Sequence, residues 1–199
     1  MRSLPAEGLR PSTWRVFCAI AVPEKVSVQA REHVSRLRAQ FPTVAASWNN
    51  DRNLHLTLKF IGHIPMERVT EVSRAASMAV EKASEFQIQV TGARSFPKHG
   101  PPRVLWLGIE DSSGRLGQLQ QRLEDACAEV GFEREARQFH PHLTLARLNR
   151  PQGAKQLGQA HKRLGFTAST MAVTDLLVLR SELNPGGSKY SEISRHPLG

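Results

Sequence analysis

The chain has 199 residues, 40% of them apolar, enough for one domain or two intimately packed lobes with a real core. No run of about 18 consecutive apolar residues occurs, and residues 1–13 lack the apolar stretch of a secretory signal, so a helical membrane span is excluded and a cytoplasmic location is expected. Lys and Arg number 27 against 18 Asp and Glu, a formal charge of +9 that favours a polyanionic partner such as nucleic acid without saying what chemistry is done to it.

After a basic lead-in over residues 1–13, the β-rich apolar run 14–22 closes on Pro23 and reads as a buried strand. A helix follows, because Val26, Ala30, Val34 and Leu37 recur at steps of three or four, with Pro42 just beyond its end. Residues 54–61 are strand-like, with Gly62 and Pro65 breaking the run, and Val69, Val72, Ala76, Val80 and Ala83 mark a second helix. The alternating segment 86–90 and the run 103–107 are expected to pair antiparallel across a loop rich in Pro and Gly. Leu116, Leu119, Leu123, Ala126 and Val130 form a third helical stripe, with capping candidates from Asp111 to Ser113 and a stop at Gly131. Strand 142–146, a polar helix over 152–164, and closing strands at 174–179 and 190–193 around the turn Asn184-Pro-Gly-Gly187 complete the chain. Short connections and mixed content favour α+β with antiparallel pairing over a doubly wound parallel sheet. Cys18 and Cys127 lie in apolar periodic segments and are expected as free buried thiols.

The strongest signal is an internal repeat. His55-Leu-Thr-Leu and His142-Leu-Thr-Leu carry the same four residues, each on a strand and each followed by a helix. In a strand, residues i and i+2 share a face, so His55 projects with Thr57 and His142 with Thr144, while Leu56, Leu58 and Phe60, and likewise Leu143 and Leu145, project into the core. A lone motif of this kind could be an ordinary half-buried strand; two in equivalent contexts point to one shared site in a cleft between similar lobes. Two imidazoles titrating near pH 6.5 can act as base and acid on opposite sides of a phosphodiester phosphorus, and threonine hydroxyls can donate to its non-bridging oxygens. A zinc reading built on His140 and His142 with His99 or His55 lacks an accompanying cysteine or carboxylate cluster, so no metal or cofactor is expected. His33, His63, His161 and His196 have polar or loop neighbours and are expected at the surface.

By parity Lys59 lies on the His55 face, whereas Arg147 has the opposite parity to His142 and needs a strand end or bulge to reach the cleft; both are kept as phosphate-binding cations. Phe17, Phe60, Trp106 and Tyr190 are candidates for stacking on a base, with core packing as the competing fate.

With these residues in view, the sequence resembles the 2H phosphoesterase superfamily, in its RNA 2',3'-cyclic phosphodiesterase branch. Residues carrying the resemblance are His55-Leu-Thr-Leu-Lys-Phe-Ile-Gly62, His140-Pro-His-Leu-Thr-Leu-Ala-Arg147, Arg15-Val-Phe-Cys-Ala-Ile, Pro102-Arg-Val-Leu-Trp-Leu-Gly108, and Ser181-Glu-Leu with Gly187 and Tyr190. The resemblance implies a single bilobal α+β domain over 14–199, two antiparallel-sheet lobes with flanking helices around a central cleft. It further implies opening of 2',3'-cyclic phosphate ends of RNA to 2'-phosphomonoesters, with His55 as proton donor and His142 as proton acceptor. Thr57, Thr144 and Arg147 then contact phosphate; apart from the resemblance, Phe17 and Tyr190 are kept with Lys59 as expected substrate-binding residues. RNA ends or small cyclic nucleotides are the expected substrates of a monomer, with 2'-5' ligation as a side activity. A basic RNA-binding module with structural histidines is the competing class; it leaves the repeat unexplained.

Overall fold

The computed structural model describes residues 12–49, 53–184 and 187–199; most of the lead-in and Pro185 and Gly186 of the predicted turn lie outside them. Nine strands and four α-helices are described: β1 (Thr13–Ala21), α1 (Glu24–Gln40), β2 (Ala46–Trp48), β3 (His55–Pro65), α2 (Val69–Val80), β4 (Phe86–Phe96), β5 (Val104–Glu110), α3 (Arg115–Glu129), β6 (His142–Leu148), α4 (Ala154–Leu164), β7 (Ser169–Val173), β8 (Asp175–Asn184) and β9 (Gly187–Pro197). They form two antiparallel sheets, ordered β3-β1-β8-β9 and β2-β6-β5-β4-β7. The α+β expectation, with β4 and β5 paired, holds.

Helix ends follow local chemistry. The carbonyl of Pro23 accepts from the amides of Val26 and Ser27 at 3.0 and 3.1 Å, opening α1. Asp111 caps α3 by accepting from the amide of Leu116 at 2.7 Å, and past the other end the Phe132 amide bonds back to Cys127 across Gly131. β3 does not break at Gly62 but runs on to Pro65, because pairing with β1 skips a residue before Gly62 and then resumes as far as Thr13. The short edge strand β2 and the strand β7 are additional to the predicted elements; β7 alternates buried Ser169, Met171 and Val173 with exposed neighbours.

One core spans Val16, Cys18 and Ile20 of β1, Leu56 and Leu58 of β3, the inner faces of α2 and α3, and Leu107, Leu143 and Leu145 of the second sheet. A smaller cluster joins Leu37 of α1 and Leu157 of α4 to Leu105, Ala146 and Leu148. Both cysteines are free and buried, and burial holds the Cys127 thiol up at about 11. His33 and His161 are not surface residues. They are 6% and 0% exposed, and His33 Nε2 meets His161 Nδ1 at 2.7 Å. His161 Nε2–H donates to the carbonyls of Arg94 and Trp106 at 3.1 and 3.2 Å, so the pair ties α1 and α4 to the backbone of β4 and β5.

Candidate active site

His55 and Thr57 on β3 lie opposite Ala21 and Ala19 of β1, and His142 and Thr144 on β6 lie opposite Gly108 and Trp106 of β5. Directly paired residues share a face, so each motif presents imidazole and hydroxyl on the face away from its buried leucines. β3 and β6 lie against each other, one from each sheet, and each histidine is half-buried.

Both strands bulge at the second leucine of the motif. The β3 register passes from Thr57 opposite Ala19 to Lys59 opposite Cys18, leaving Leu58 unpaired; the β6 register passes from Thr144 opposite Trp106 to Ala146 opposite Leu105, leaving Leu145 unpaired. One inserted residue reverses the parity of everything after it. Arg147 is therefore turned onto the face of His142 and Thr144, where it is exposed and its charge acts on His142.

The same device overturns the Lys59 and Phe60 assignments. Lys59 faces the core, 4% exposed, with Nζ 2.6 Å from Glu124 Oε2 and 2.8 Å from the Glu133 carbonyl. It is not a cleft cation. Phe60 takes the cleft side instead, 57% exposed, at the position of the first motif that Arg147 holds in the second.

The histidines share one arrangement. His55 Nδ1 lies 2.6 Å from the carbonyl of Asn53, and His142 Nδ1 lies 2.7 Å from the carbonyl of His140. A carbonyl only accepts, so Nδ1 carries the proton in both rings and Nε2 is left as the atom able to take or give one. Aromatic rings hold each imidazole in place: Phe17 and Tyr190 at 4.8 and 5.0 Å from His55, Trp106 and Phe96 at 5.6 and 5.5 Å from His142. Phe17 is buried under His55 and packs with Ala19, Leu177 and Leu179, while Trp106 stacks on Phe96 at 4.6 Å; neither ring is a free stacking platform. Tyr190 is half-buried, edge-on to both Phe17 and His55.

Burial is the main cause that depresses both histidine pKa values below 6.5. The two carbonyl bonds oppose it; the His142 charge lowers His55 further, and the Arg147 and His140 charges lower His142. Neither threonine hydroxyl bonds another described residue. No group of three or more His, Cys, Asp or Glu suited to a metal ion exists among the described residues, and His140, His99 and His63 are exposed and apart from such a cluster. His196 is half-buried and bonded to Ser194 on β9. Arg94 on β4, absent from the sequence candidates, is exposed on the cleft face opposite Trp106, and no motif marks it.

A sequence profile of the 2'-5' RNA ligase superfamily matches residues 25–185. The chain is 30% identical over 182 residues to an RNA 2',3'-cyclic phosphodiesterase of Methanothermobacter thermautotrophicus, covering 90% of this chain and 96% of that protein. It is 31% identical over 177 residues to one of Thermotoga maritima, covering 88% and 91%. Among solved structures, Escherichia coli LigT complexed with 3'-AMP superposes with a TM-score of 0.70 at 27% identity, covering 94% of this chain and 99% of that one. The TT0787 protein of Thermus thermophilus shares the fold at a TM-score of 0.77 with 24% identity, covering 92% and 97%.

Proposed function

The chain belongs to the 2'-5' RNA ligase superfamily, and from that premise we propose that it opens 2',3'-cyclic phosphate ends of RNA to 2'-phosphomonoesters. His142 takes a proton from the attacking water, and His55 gives one to the departing 3' oxygen as the P–O3' bond breaks. The observation that carries this reading is the repeated imidazole: two rings, each with Nδ1–H fixed by the carbonyl two residues before it, leaving two Nε2 atoms for one phosphorus. Two relatives are named RNA 2',3'-cyclic phosphodiesterase, which supports the substrate class.

The order of roles is the one the family resemblance implies, and the charges around the two rings are compatible with it. Arg147 beside His142 favours the neutral ring a base must be, whereas the strongest charge acting on His55 within the protein is His142 itself. A bound phosphate anion raises the pKa of His55, so that the ring holds a proton taken from solvent and gives it to the departing oxygen. Thr57, Thr144 and Arg147 hold the non-bridging oxygens. With a 5'-hydroxyl in place of water the same transfers join two ends through a 2'-5' linkage, the side activity of this site. Both proton movements are made by protein imidazoles, so no cofactor enters. The domain is the single bilobal unit 14–199, acting as a monomer on RNA in the cytoplasm; no described helix is long and apolar enough to cross a membrane.

A pH profile in EDTA tests this reading. On an oligonucleotide ending in a 2',3'-cyclic phosphate, kcat/KM is expected to persist and to follow a bell, with apparent pKa values belonging to the coupled pair. Its acid limb, protonation of the base, falls below pH 6.5 because the His142 pKa is depressed. Arg147→Ala removes a charge that lowers that pKa, so the limb moves to higher pH. Loss of turnover in EDTA, or an unmoved limb in Arg147→Ala, contradicts the assignment.

A further inference from the structure

Along β4, Ile88 and Val90 face the core, and ideal alternation would send Arg94 the same way. Gly92, at φ 68, is the extra residue of a further bulge: Thr91 pairs with Gly108, Ala93 pairs with Leu107, and Arg94 comes to lie opposite Trp106. Trp106 in turn lies opposite Thr144, so Arg94, Trp106 and Thr144 form a row across three strands on the cleft face. Two strand spacings put the Arg94 backbone roughly 10 Å from that of Thr144, within the reach of a long side chain laid along the row.

The side chain rests on a floor kept clear by two glycines. Its Nε lies 3.3 Å from where a Cβ on Gly92 would stand and 3.6 Å from one on Gly108. Gly108 is the register partner of His142, and any Cβ there would come within 2.7 Å of the Thr91 carbonyl. The guanidinium carbon is 5.8 Å from the Trp106 ring centroid, and the Arg94 carbonyl is held by buried His161. The backbone is thus clamped and the side chain lies over Gly92 and Gly108, the latter the register partner of His142, yet no carboxylate among the described residues pairs with it.

We propose that Arg94 binds the phosphodiester next to the cyclic end and so makes the enzyme prefer an RNA end to a lone nucleoside 2',3'-cyclic phosphate. This rests on the reading given under Proposed function. There the scissile phosphate is already served by Thr57, Thr144 and Arg147, and the remaining anion an RNA strand brings to this face is its next linkage. A planar guanidinium suits that anion through paired hydrogen bonds.

The test compares a short oligonucleotide and a mononucleoside, both ending in a 2',3'-cyclic phosphate, as substrates of the wild type, Arg94→Ala and Arg94→Lys. For Arg94→Ala, kcat/KM on the oligonucleotide is expected to fall about tenfold to a hundredfold, mainly through KM. Its salt dependence should flatten by about 0.7 in log–log slope, the contribution of one phosphate on a single strand. On the mononucleoside kcat/KM should change less than about twofold, which also reports an intact fold, and Arg94→Lys should recover part of the loss. Equal losses on both substrates, or none on either, overturn the proposal while leaving the phosphodiesterase reading in place. A wild type that opens neither substrate overturns that reading, and this inference with it.

Discussion

His142→Ala is expected to lower turnover of a cyclic-phosphate oligonucleotide by about two to four orders of magnitude in a protein that stays folded, and His55→Ala to do the same. The size is what a positioned general acid or base contributes. Folding should survive because each ring is half-buried at the cleft and, among the described residues, hydrogen-bonds only the carbonyl two residues earlier on its own chain segment, so its removal opens no core cavity. In the proposed mechanism the two groups serve one displacement, so the double variant is expected to lose far less than the product of the single losses. Single-turnover rates of the three variants, with circular dichroism as the folding control, check this; near-normal turnover in folded His142→Ala would return the histidines to a structural role.

Lys59→Ala destabilises the protein by about 3–5 kcal/mol, measured by urea or thermal unfolding, because it leaves a carboxylate buried without its cation. The pair is closed to solvent, with side chains 2% and 7% exposed, and Glu124 also accepts from Gln120 and from the Glu135 amide. Replacing both members, Lys59→Met with Glu124→Leu, should recover much of the loss, since the charges and not the volume make the single variant costly. Turnover per folded molecule stays near that of the wild type. A stable Lys59→Ala with weakened substrate binding would put Lys59 back in the cleft.

The contrast between Lys59 and Arg147 shows how far a strand can be read from its sequence. Periodicity placed the helices and most strands, and period-two alternation put His with Thr on one face of both motif strands. That alternation carries only as far as the ladder is regular. Bulges at Leu58 and Leu145 insert one residue each with no Gly or Pro to announce them, and the parity argument inverts for the residues directly after each, until the skipped Ile61 restores it in β3. Hence Lys59 and Phe60 exchange faces, and Arg147 arrives beside His142 as a bulge would require. At Gly92 the glycine was a visible marker, yet Arg94 belongs to no motif and its place depends on two neighbouring strands.

The buried histidines were more accessible than their polar neighbours suggest. His33 continues the stripe Val26, Ala30, Leu37 of α1, and His161 continues Ala154, Leu157 and Gly158 of α4, at the three- and four-residue steps that define a core-facing side. What the helical pattern could not supply was the partner: each ring is satisfied by the other, across two helices far apart in sequence. β2, at three residues, is too short to show any periodicity.

In the proposed reaction two imidazoles move protons across one cyclic phosphate, with the 3' oxygen as leaving group. Identifying the phosphate position in the product tests it most directly, by 31P NMR of an oligonucleotide 2',3'-cyclic phosphate incubated with the protein in EDTA. A single 2'-phosphomonoester is expected, formed by the wild type and lost in both histidine variants; a 3'-phosphate, a mixture of the two, or product formed equally by His142→Ala would overturn the mechanism.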